Sequence, residues 1–363
     1  MMTAMDWRGL ALAGLFVGLG VTASAHTPFS SLDVRIRGEA LDVTVVAQAY
    51  DLAHDLGVDP PEQLLDLGVL AARRDAIASL FGARLAIAAD GDTLTADAWS
   101  MPAMALEQQL IRIQARYDLH GPPGRVAITA RLFPYDPTHQ TLVNIYERDQ
   151  LKTQQILDAG RPEFDYFTET RAGLAAMVRR FVVAGVQRAL SGYDHLLFLV
   201  GLLLVGGNRR QILLILGAFT VSYSAGLSCA AFGLLVLPAR LLAPAVALSL
   251  IYVGIDNLLM GGGRDVRAWV ALAFGALHGF SFAGTLASID RPTRGAAWSV
   301  VSFNVGLEIG LMLVAIAAAS MVALSGAPGP DRGAVAKRLV AVAGSIVVAV
   351  AGAVWFVRGI FLI

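Results

Sequence analysis

Six long apolar segments in the second half of the sequence restrict the fold more than any other feature. They lie near residues 181–205, 211–237, 241–260, 268–288, 296–325 and 339–363. A helix of roughly 20 residues crosses a hydrocarbon core of about 30 Å, and each segment reaches that length. A helix also satisfies its own backbone hydrogen bonds in lipid. We therefore predict a polytopic α-helical membrane region with six transmembrane helices over residues 176–363.

The overall composition agrees with a membrane protein. The chain is 56% hydrophobic and 15% charged, whereas soluble domains carry about 25% charged residues. Lys and Arg together number 28, as do Asp and Glu, so no basic field favours nucleic acid as a partner. The charged residues crowd into the first half. The lipid bilayer is the partner that the second half predicts.

The first 25 residues have the pattern of a secretory signal peptide. Arg8 precedes an apolar run, and the small residues of Ala23–Ala25 form a cleavage site. The apolar run is shorter than a membrane span, although an uncleaved anchor remains an alternative. We predict a signal peptide over residues 1–25 and an exported segment that begins at His26.

Residues 26–175 alternate apolar and polar residues in several short runs separated by turn residues. The alternation is clearest over residues 32–37, 41–47 and 110–117, and such runs predict strands. Residues 60–80 instead have helical spacing of their leucines. Several short strands with turns between them are typical of a β-sandwich. We predict a soluble, mainly β periplasmic domain, sandwich-like, with one helical insertion.

The exported segment contains no recognisable catalytic or metal-binding motif. His54, His120 and His139 are far apart and lack metal-ligand spacing, so we interpret them as surface residues. The aspartates of residues 51–59 recur at every fourth position, whereas a calcium loop places its ligands at alternate positions. We interpret them as a solvated face. The sequence also lacks a hydrolase elbow, a zinc-protease pair and a nucleotide-binding loop, which favours a protein that is not an enzyme.

Polar and ionisable residues interrupt five of the six apolar segments. An ionisable group at the centre of a bilayer helix costs on the order of 2.5–3.5 kcal/mol, so it normally faces a bundle interior or a wet cavity. Asn304 and Glu308 are four residues apart and share one helix face. We predict one polar site inside the bundle, with structural ion pairs and interhelical hydrogen bonds as the alternatives. The polar residues are Arg188, Asp194, His195, Ser222, Tyr223, Ser224, Tyr252, Asp256, Asn257, His278, Asn304 and Glu308.

The first two apolar segments carry motifs of a known family. Arg188-x5-Asp194-His195-Leu-Leu-Phe-Leu resembles the first-helix signature of the HupE/UreJ family of small nickel and cobalt permeases, which has a His in place of Arg188. The segment 218–224 is similar to the second helix of the family, which has a His in place of Tyr223.

Three later segments extend the resemblance. Residues 247–257 are similar to the third-helix motif, with Asp256 where the family has Glu, and residues 274–283 and 303–310 resemble the fourth and fifth helices. The exported domain resembles the long subgroup of the family that carries a periplasmic extension. The resemblance implies transport of a divalent transition metal, nickel or cobalt, with no tightly bound cofactor.

The resemblance also implies the residues of the pathway. Arg188 alters this site, because a guanidinium stays charged and repels another unit charge at about 4 Å by roughly 4 kcal/mol at an effective dielectric of 20. Either Arg188 points towards the headgroups or the site does not hold a bare divalent ion. The expected metal ligands are Asp194, His195, His278 and Glu308. The expected pathway contains these four residues with Asp256, Asn257 and Asn304.

Basic loop residues and the exported domain indicate the orientation. The loops 206–210, 261–267 and 326–338 hold seven Lys and Arg residues, whereas the opposite loops and the tail hold four. Cytoplasmic loops carry the excess of basic residues. We predict a multi-pass protein of the bacterial inner membrane, with the N-terminal domain and the C-terminus in the periplasm. The alternative function is a non-transporting receptor or assembly component whose periplasmic domain binds a protein partner.

Overall fold

The computed structural model describes residues 28–105, 109–259, 265–287, 289, 295–324 and 330–361. The predicted signal peptide and His26 lie outside these residues. The chain separates into two compact units. The first contains the described residues up to Ala86 with Thr95–Asp118 and Thr129–Glu163, and the second contains Ile87–Leu94, Leu119–Ile128 and the described residues from Phe164 onwards.

A seven-stranded sheet forms most of the first unit. Its order is β10-β9-β1-β2-β7-β5, and β6 also pairs with β7. The first two strands form a hairpin, while β1 and β9 run parallel. Alternate residues of β1 and β2 are buried, as the sequence pattern predicts. The strands are β1 (Phe29–Arg37), β2 (Ala40–Gln48), β5 (Ala98–Trp99), β6 (Ala103–Ala105), β7 (Leu110–Asp118), β9 (Gln140–Glu147) and β10 (Gln150–Leu157).

The helical insertion consists of several short helices rather than one. Asp66 separates two of them, because its carboxylate accepts hydrogen bonds from the amides of Gly68 and Val69 and so begins a new helix. The buried side chains Leu64, Leu70 and Phe81 anchor the insertion. Its elements are α1 (Ala49–Leu56), a 3₁₀ helix (Pro61–Leu65), α2 (Leu67–Ala72) and α3 (Arg74–Arg84).

The remaining strands form a four-stranded sheet in the order β11-β8-β3-β4. They are β3 (Leu85–Ala89), β4 (Asp92–Leu94), β8 (Arg125–Ala130) and β11 (Glu163–Phe167). The prediction of a mainly β N-terminal domain is confirmed, while the sandwich arrangement stays a prediction.

An ion pair joins the four-stranded sheet to the first long helix, α4 (Arg171–Ser191). Asp165 on β11 accepts hydrogen bonds of 2.9 and 2.7 Å from Arg125, and it lies 3.7 Å from Nε of Arg180 on α4. The helix begins at Thr170, whose hydroxyl accepts a hydrogen bond from the amide of Gly173. The sheet thus fixes the start of the helical region.

The helical region follows β11, and five of its helices are long and apolar enough to cross a membrane. These five candidate spans are Arg209–Ala231, Arg240–Leu259, Arg267–Ala287, Ala296–Ala318 and Arg338–Phe361. The helices that contain or precede them are α5 (Tyr193–Leu204), α6 (Arg209–Ala231), α7 (Ala239–Leu259), α8 (Arg267–Ala287), α9 (Ala296–Leu324) and α10 (Pro330–Phe361).

The first predicted span, residues 181–205, is not one continuous helix, so the count of six spans is not confirmed. It is divided at Gly192 between α4 and the shorter α5. Gly192 is extended, with φ −87° and ψ 100°. A Cβ atom at this position would collide with the guanidinium of Arg188 and the ring of His195. The packing of these two side chains across the break therefore requires glycine.

The described helices pack in three close pairs around α5. The pairs are α4 with α9, α6 with α8, and α7 with α10, and α5 touches α4, α7, α8, α9 and α10. Gly185 and Gly306 bring the backbones of the first pair together, since a Cβ on either would strike the other helix. Gly279 does the same for the second pair, whereas Gly284 borders open space.

Candidate functional site

The break at Gly192 gathers Arg188, Asp194 and His195 into one cluster. Nε2 of the fully buried His195 donates a 2.8 Å hydrogen bond to the carbonyl of Ala189. Its Nδ1 lies 3.3 Å from Nη1 of Arg188 and 3.1 Å from Oδ1 of Asp194. If the ring is neutral with its proton on Nε2, Nδ1 accepts a hydrogen bond from Arg188. If both ring nitrogens are protonated, Nδ1 donates a hydrogen bond to Asp194.

The side chain of Arg188 faces Asp194 and His195. Its Nη2 lies 3.7 Å from Oδ2 of Asp194 and donates a 3.4 Å hydrogen bond to Ser281 on α8. The guanidinium also stands over the ring of Phe282, at 5.1 Å from the centroid. A permanent positive charge thus compensates Asp194 at the place where the family resemblance implies an imidazole.

Glu308 on α9 forms a second cluster with α6. Its Oε2 accepts a 2.8 Å hydrogen bond from the hydroxyl of Tyr223 and a 2.9 Å hydrogen bond from Thr220. Tyr223 is fully buried. The sequence interpretation missed Thr220, although it lies three residues before Tyr223 and therefore on the same helix face.

His278 on α8 forms a third cluster with Ser249 on α7. The Ser249 hydroxyl donates a 2.6 Å hydrogen bond to the carbonyl of Val246, so its oxygen accepts the 3.2 Å hydrogen bond from Nε2 of His278. Nδ1 of His278 then carries a lone pair. This atom is buried and has no hydrogen-bond partner within the described part of the chain.

Two asparagines in the helices repeat this feature. The Asn257 amide donates a 2.8 Å hydrogen bond to the carbonyl of Gly201, and the Asn304 amide donates a 3.0 Å hydrogen bond to Val300. The oxygen of each side chain is buried without a partner among the residues described. Like His278, each asparagine therefore has an unused acceptor, and buried acceptors of this kind are uncommon in proteins.

Aromatic rings contact both imidazoles. The His195 ring meets Phe282 at 4.8 Å, while the His278 ring meets Phe198 at 4.6 Å and Phe219 at 5.7 Å. Asp256 is half-buried on α7. Within the described ranges, no three His, Cys, Asp or Glu side chains lie close enough to hold a metal ion. The pathway role of the residues named above stays a prediction.

A cavity of about 350 Å³ reaches Asp194 from the side of the bundle. Asp194 supplies its charged group and Ser281 its hydroxyl, and the rest of the lining is apolar or aromatic. Val246 is another lining residue, and its carbonyl accepts a hydrogen bond from Ser249. The cavity lining is therefore connected to the cluster of His278 and Ser249. The lining consists of Asp194, Leu242, Ala243, Val246, Ala247, Phe280, Ser281, Gly284 and Trp355.

Arg267, interpreted above as a basic loop residue, is buried and holds the end of α5. Its Nη1 donates to the carbonyls of Leu202 and Gly206 at 2.9 and 2.8 Å. Asp265 accepts from Nε and Nη2 at 3.0 and 2.8 Å. Hydrogen bonds from Arg267 lower the pKa of Asp265 below its usual value. The guanidinium thus caps the negative end of the α5 dipole.

In the N-terminal β domain, the interpretation of His139 and Asp51 as surface residues is wrong. Asp51 is fully buried and His139 is 7% exposed. Tyr135 donates a 2.6 Å hydrogen bond to Asp51, and Nε2 of His139 lies 3.0 Å from the hydroxyl of Ser30. Burial raises the pKa of Tyr135, and the bond to Asp51 adds to the effect.

Ser30, His139 and Asp51 resemble a hydrolase triad in residue type only. Nδ1 of His139 lies 3.9 Å from Oδ2 of Asp51, beyond hydrogen-bond distance. Ser30 is 2% exposed, and its oxygen lies 3.0 Å from the hydroxyl of Thr141. A substrate could not reach this serine, so we interpret the group as a buried polar network that stabilises the domain.

Comparison with known proteins identifies one match. The family model described as HupE / UreJ protein matches residues 166–359, which is more than half of the chain. The match covers α4 to α9 and α10 up to Gly359. It includes the three clusters of the helical region but not the group of Ser30, His139 and Asp51. No curated protein matches the chain.

Proposed function

Since the chain belongs to the HupE/UreJ family, we propose that it is a permease for a divalent transition-metal ion of the nickel or cobalt kind. The pathway lies in the helical region, and the protein is a carrier rather than an enzyme. Its cargo differs in form from that of relatives with two further imidazoles, because Arg188 and Tyr223 stand in their places.

The unused buried acceptors carry this proposal. Nδ1 of His278 and the oxygens of Asn257 and Asn304 lie on three different helices, and each presents a lone pair without a partner in the described chain. A buried acceptor without a partner costs about 1–3 kcal/mol. Imidazole nitrogen and amide oxygen are both ligands of divalent metal ions. A cargo that presents a metal ion or the N–H donors of its ligands would satisfy these atoms in turn.

The broken first span supports the same function. Transporter binding sites commonly lie where a membrane helix is discontinuous, and Asp194 and His195 follow such a break at Gly192. In the proposed topology, the end of α4 and α5 together form the first of six crossings. The protein then lies in the bacterial inner membrane, with both its N-terminal domain and its C-terminus in the periplasm.

Uptake of radioactive nickel tests the proposal. Cells that lack their own nickel permease should accumulate more metal when they express the chain. His278→Ala should lower uptake, because it removes the unpartnered Nδ1. Leu213→Ala is the matched control, since Leu213 is 68% exposed on α6, and it should leave uptake unchanged. Equal uptake in cells with and without the chain would contradict the proposal.

One observation favours a second candidate, a non-transporting membrane receptor or assembly component with a periplasmic protein partner. Arg188 compensates Asp194, and Tyr223 holds Glu308, so both carboxylates are satisfied without metal. The double substitution Arg188→His and Tyr223→His separates the two candidates. A permease of altered cargo should gain uptake of the free nickel ion, whereas a receptor should not.

A further inference from the structure

The cavity beside Asp194 has the size of a small-molecule site. Its volume is about 350 Å³, within the range of roughly 300–1,000 Å³ that is typical of ligand pockets. A bare divalent ion bound at about 2.1 Å from its ligands would fill a small part of it. The volume is therefore large enough for a metal ion together with organic ligands.

The described lining residues offer few ligands for a bare ion. Divalent transition metals take at least about four nitrogen, oxygen or sulfur ligands. The polar side chains of the lining are Asp194 and Ser281, and the other walls are formed by residues such as Leu242, Phe280 and Trp355. An ion in this cavity must therefore bring most of its ligands with it. Apolar walls also suit the carbon atoms of an organic ligand better than a shell of water.

The charges beside the cavity disfavour a cargo with two positive charges. Asp194 is the charged lining residue, and Arg188 lies 3.7 Å behind its carboxylate. His195 adds no negative charge in either protonation state. The group of three therefore has no net negative charge to offset the dehydration of a divalent ion. A neutral complex does not require a net negative charge in its binding site.

We infer that the cargo occupies this cavity as a neutral chelate, a divalent transition-metal ion complexed by small ligands with amine and carboxylate groups. This inference rests on the proposed function. The Ser281 oxygen accepts from Arg188, which leaves the Ser281 proton free to bind a ligand carboxylate. The Asp194 carboxylate accepts a hydrogen bond from an amine group of the ligand.

Gly284 allows the cavity to be filled without a collision. It belongs to the lining, and a Cβ atom there would meet nothing within 4 Å. Gly284→Leu therefore places a side chain in the space that the chelate would occupy. Gly217→Leu is the matched control, because Gly217 is exposed on α6 and also has nothing within 4 Å.

The test uses proteoliposomes that contain the purified full chain. Uptake of radioactive nickel is measured for the free ion in a non-coordinating buffer and for the neutral complex with two glycinate ligands. Empty liposomes give the background. We expect several-fold faster uptake of the complex than of the free ion. Gly284→Leu should reduce uptake of the complex by at least about tenfold, as steric changes in pockets do, and Gly217→Leu should not reduce it.

The outcomes separate this inference from the proposed function. If the free ion enters as fast as the complex, or if Gly284→Leu and Gly217→Leu behave alike, the inference is overturned while the permease function stands. The second result would indicate that lipid fills the cavity. If neither form of nickel enters above background, both the inference and the proposed function are overturned. Equal yield and thermal stability of the two leucine variants establish that both are folded.

Discussion

The hydroxyl of Tyr223 on α6 donates a 2.8 Å hydrogen bond to Oε2 of Glu308 on α9. Tyr223 is fully buried, so this bond is sheltered from water. The HupE/UreJ resemblance implies a His at this position. An imidazole nitrogen can bind a metal or donate a proton, whereas a neutral phenol next to a carboxylate serves as a donor. Tyr223 therefore engages the carboxylate of Glu308 in a hydrogen bond.

Removal of the Tyr223 hydroxyl should weaken the bundle. Tyr223→Phe keeps the ring and loses the hydrogen bond to Glu308, and bonds to charged groups are worth about 1.5–3 kcal/mol. We expect a lower melting temperature for the purified variant in detergent. Tyr252→Phe is the control, because Tyr252 is 44% exposed on α7. Equal melting temperatures for the two variants would show that the bond to Glu308 contributes nothing.

A methyl group at the helix break, Gly192, should disrupt the cluster of Arg188, Asp194 and His195. In Gly192→Ala, the added Cβ would collide with Arg188 and His195, and overpacking of this kind costs about 1–3 kcal/mol. Gly217→Ala adds the same atom in open space on α6 and should preserve or raise stability. Thermal unfolding of both variants measures the difference. A Gly192→Ala protein as stable as the control would mean that the two side chains can move apart freely.

The bond between Asp265 and Arg267 should make the helical region sensitive to acid. Because hydrogen bonds from Arg267 lower the pKa of Asp265, their stabilisation is complete above the ordinary value of 3.8. It is lost as the pH falls through the lowered pKa. Asp265→Asn should therefore lose stability at neutral pH and show a weaker loss on acidification.

Asp75→Asn provides the control for this experiment. Asp75 also pairs with an arginine, but its side chain is 90% exposed, and exposed pairs contribute little. The pH dependence of its melting temperature should match that of the original chain. If Asp265→Asn also matches it, Asp265 does not support Arg267 in the way described.

The bond between Tyr135 and Asp51 should make the N-terminal β domain sensitive to alkali. Burial and the nearby carboxylate raise the pKa of Tyr135 above its ordinary value of 10.0. The stabilisation is therefore complete below pH 10.0 and is lost as the pH rises above it, because the unfolded chain loses this proton first. Hydrogen exchange of peptides from this domain in the full chain measures the effect.

Tyr135→Phe should be less stable at neutral pH and should lose less stability above pH 10.0. Burial also raises the pKa of Tyr117 to about 12, so part of the alkaline loss should persist in the variant. An unchanged alkaline response in Tyr135→Phe would contradict the role given to its hydrogen bond.

Local patterns in the sequence predict the strands and most of the helices. The alternation in β1, β2 and β7 corresponds to the burial of alternate residues, because one face of each strand packs on the core. The apolar runs likewise predict the five candidate spans. These features depend on neighbours within a few residues, which is the information that periodicity contains.

Features that depend on distant contacts could not be predicted. The apolar run around Gly192 gives no sign of a break, since the break depends on how Arg188 and His195 pack across it. Arg267 looks like an ordinary loop cation until its contacts with Leu202 and Gly206 are known. His139 is similarly isolated in the sequence, and only the pairing of β1 with β9 brings it near Ser30.

The glycine contact between α4 and α9 limits how the bundle can open. The backbones meet at Gly185 and Gly306 without room for a Cβ atom, so the two helices pack closely there. Arg188 belongs to α4 and Glu308 belongs to α9. If the two helices move as one body, a withdrawal of α4 from Asp194 also carries Glu308 away from Tyr223.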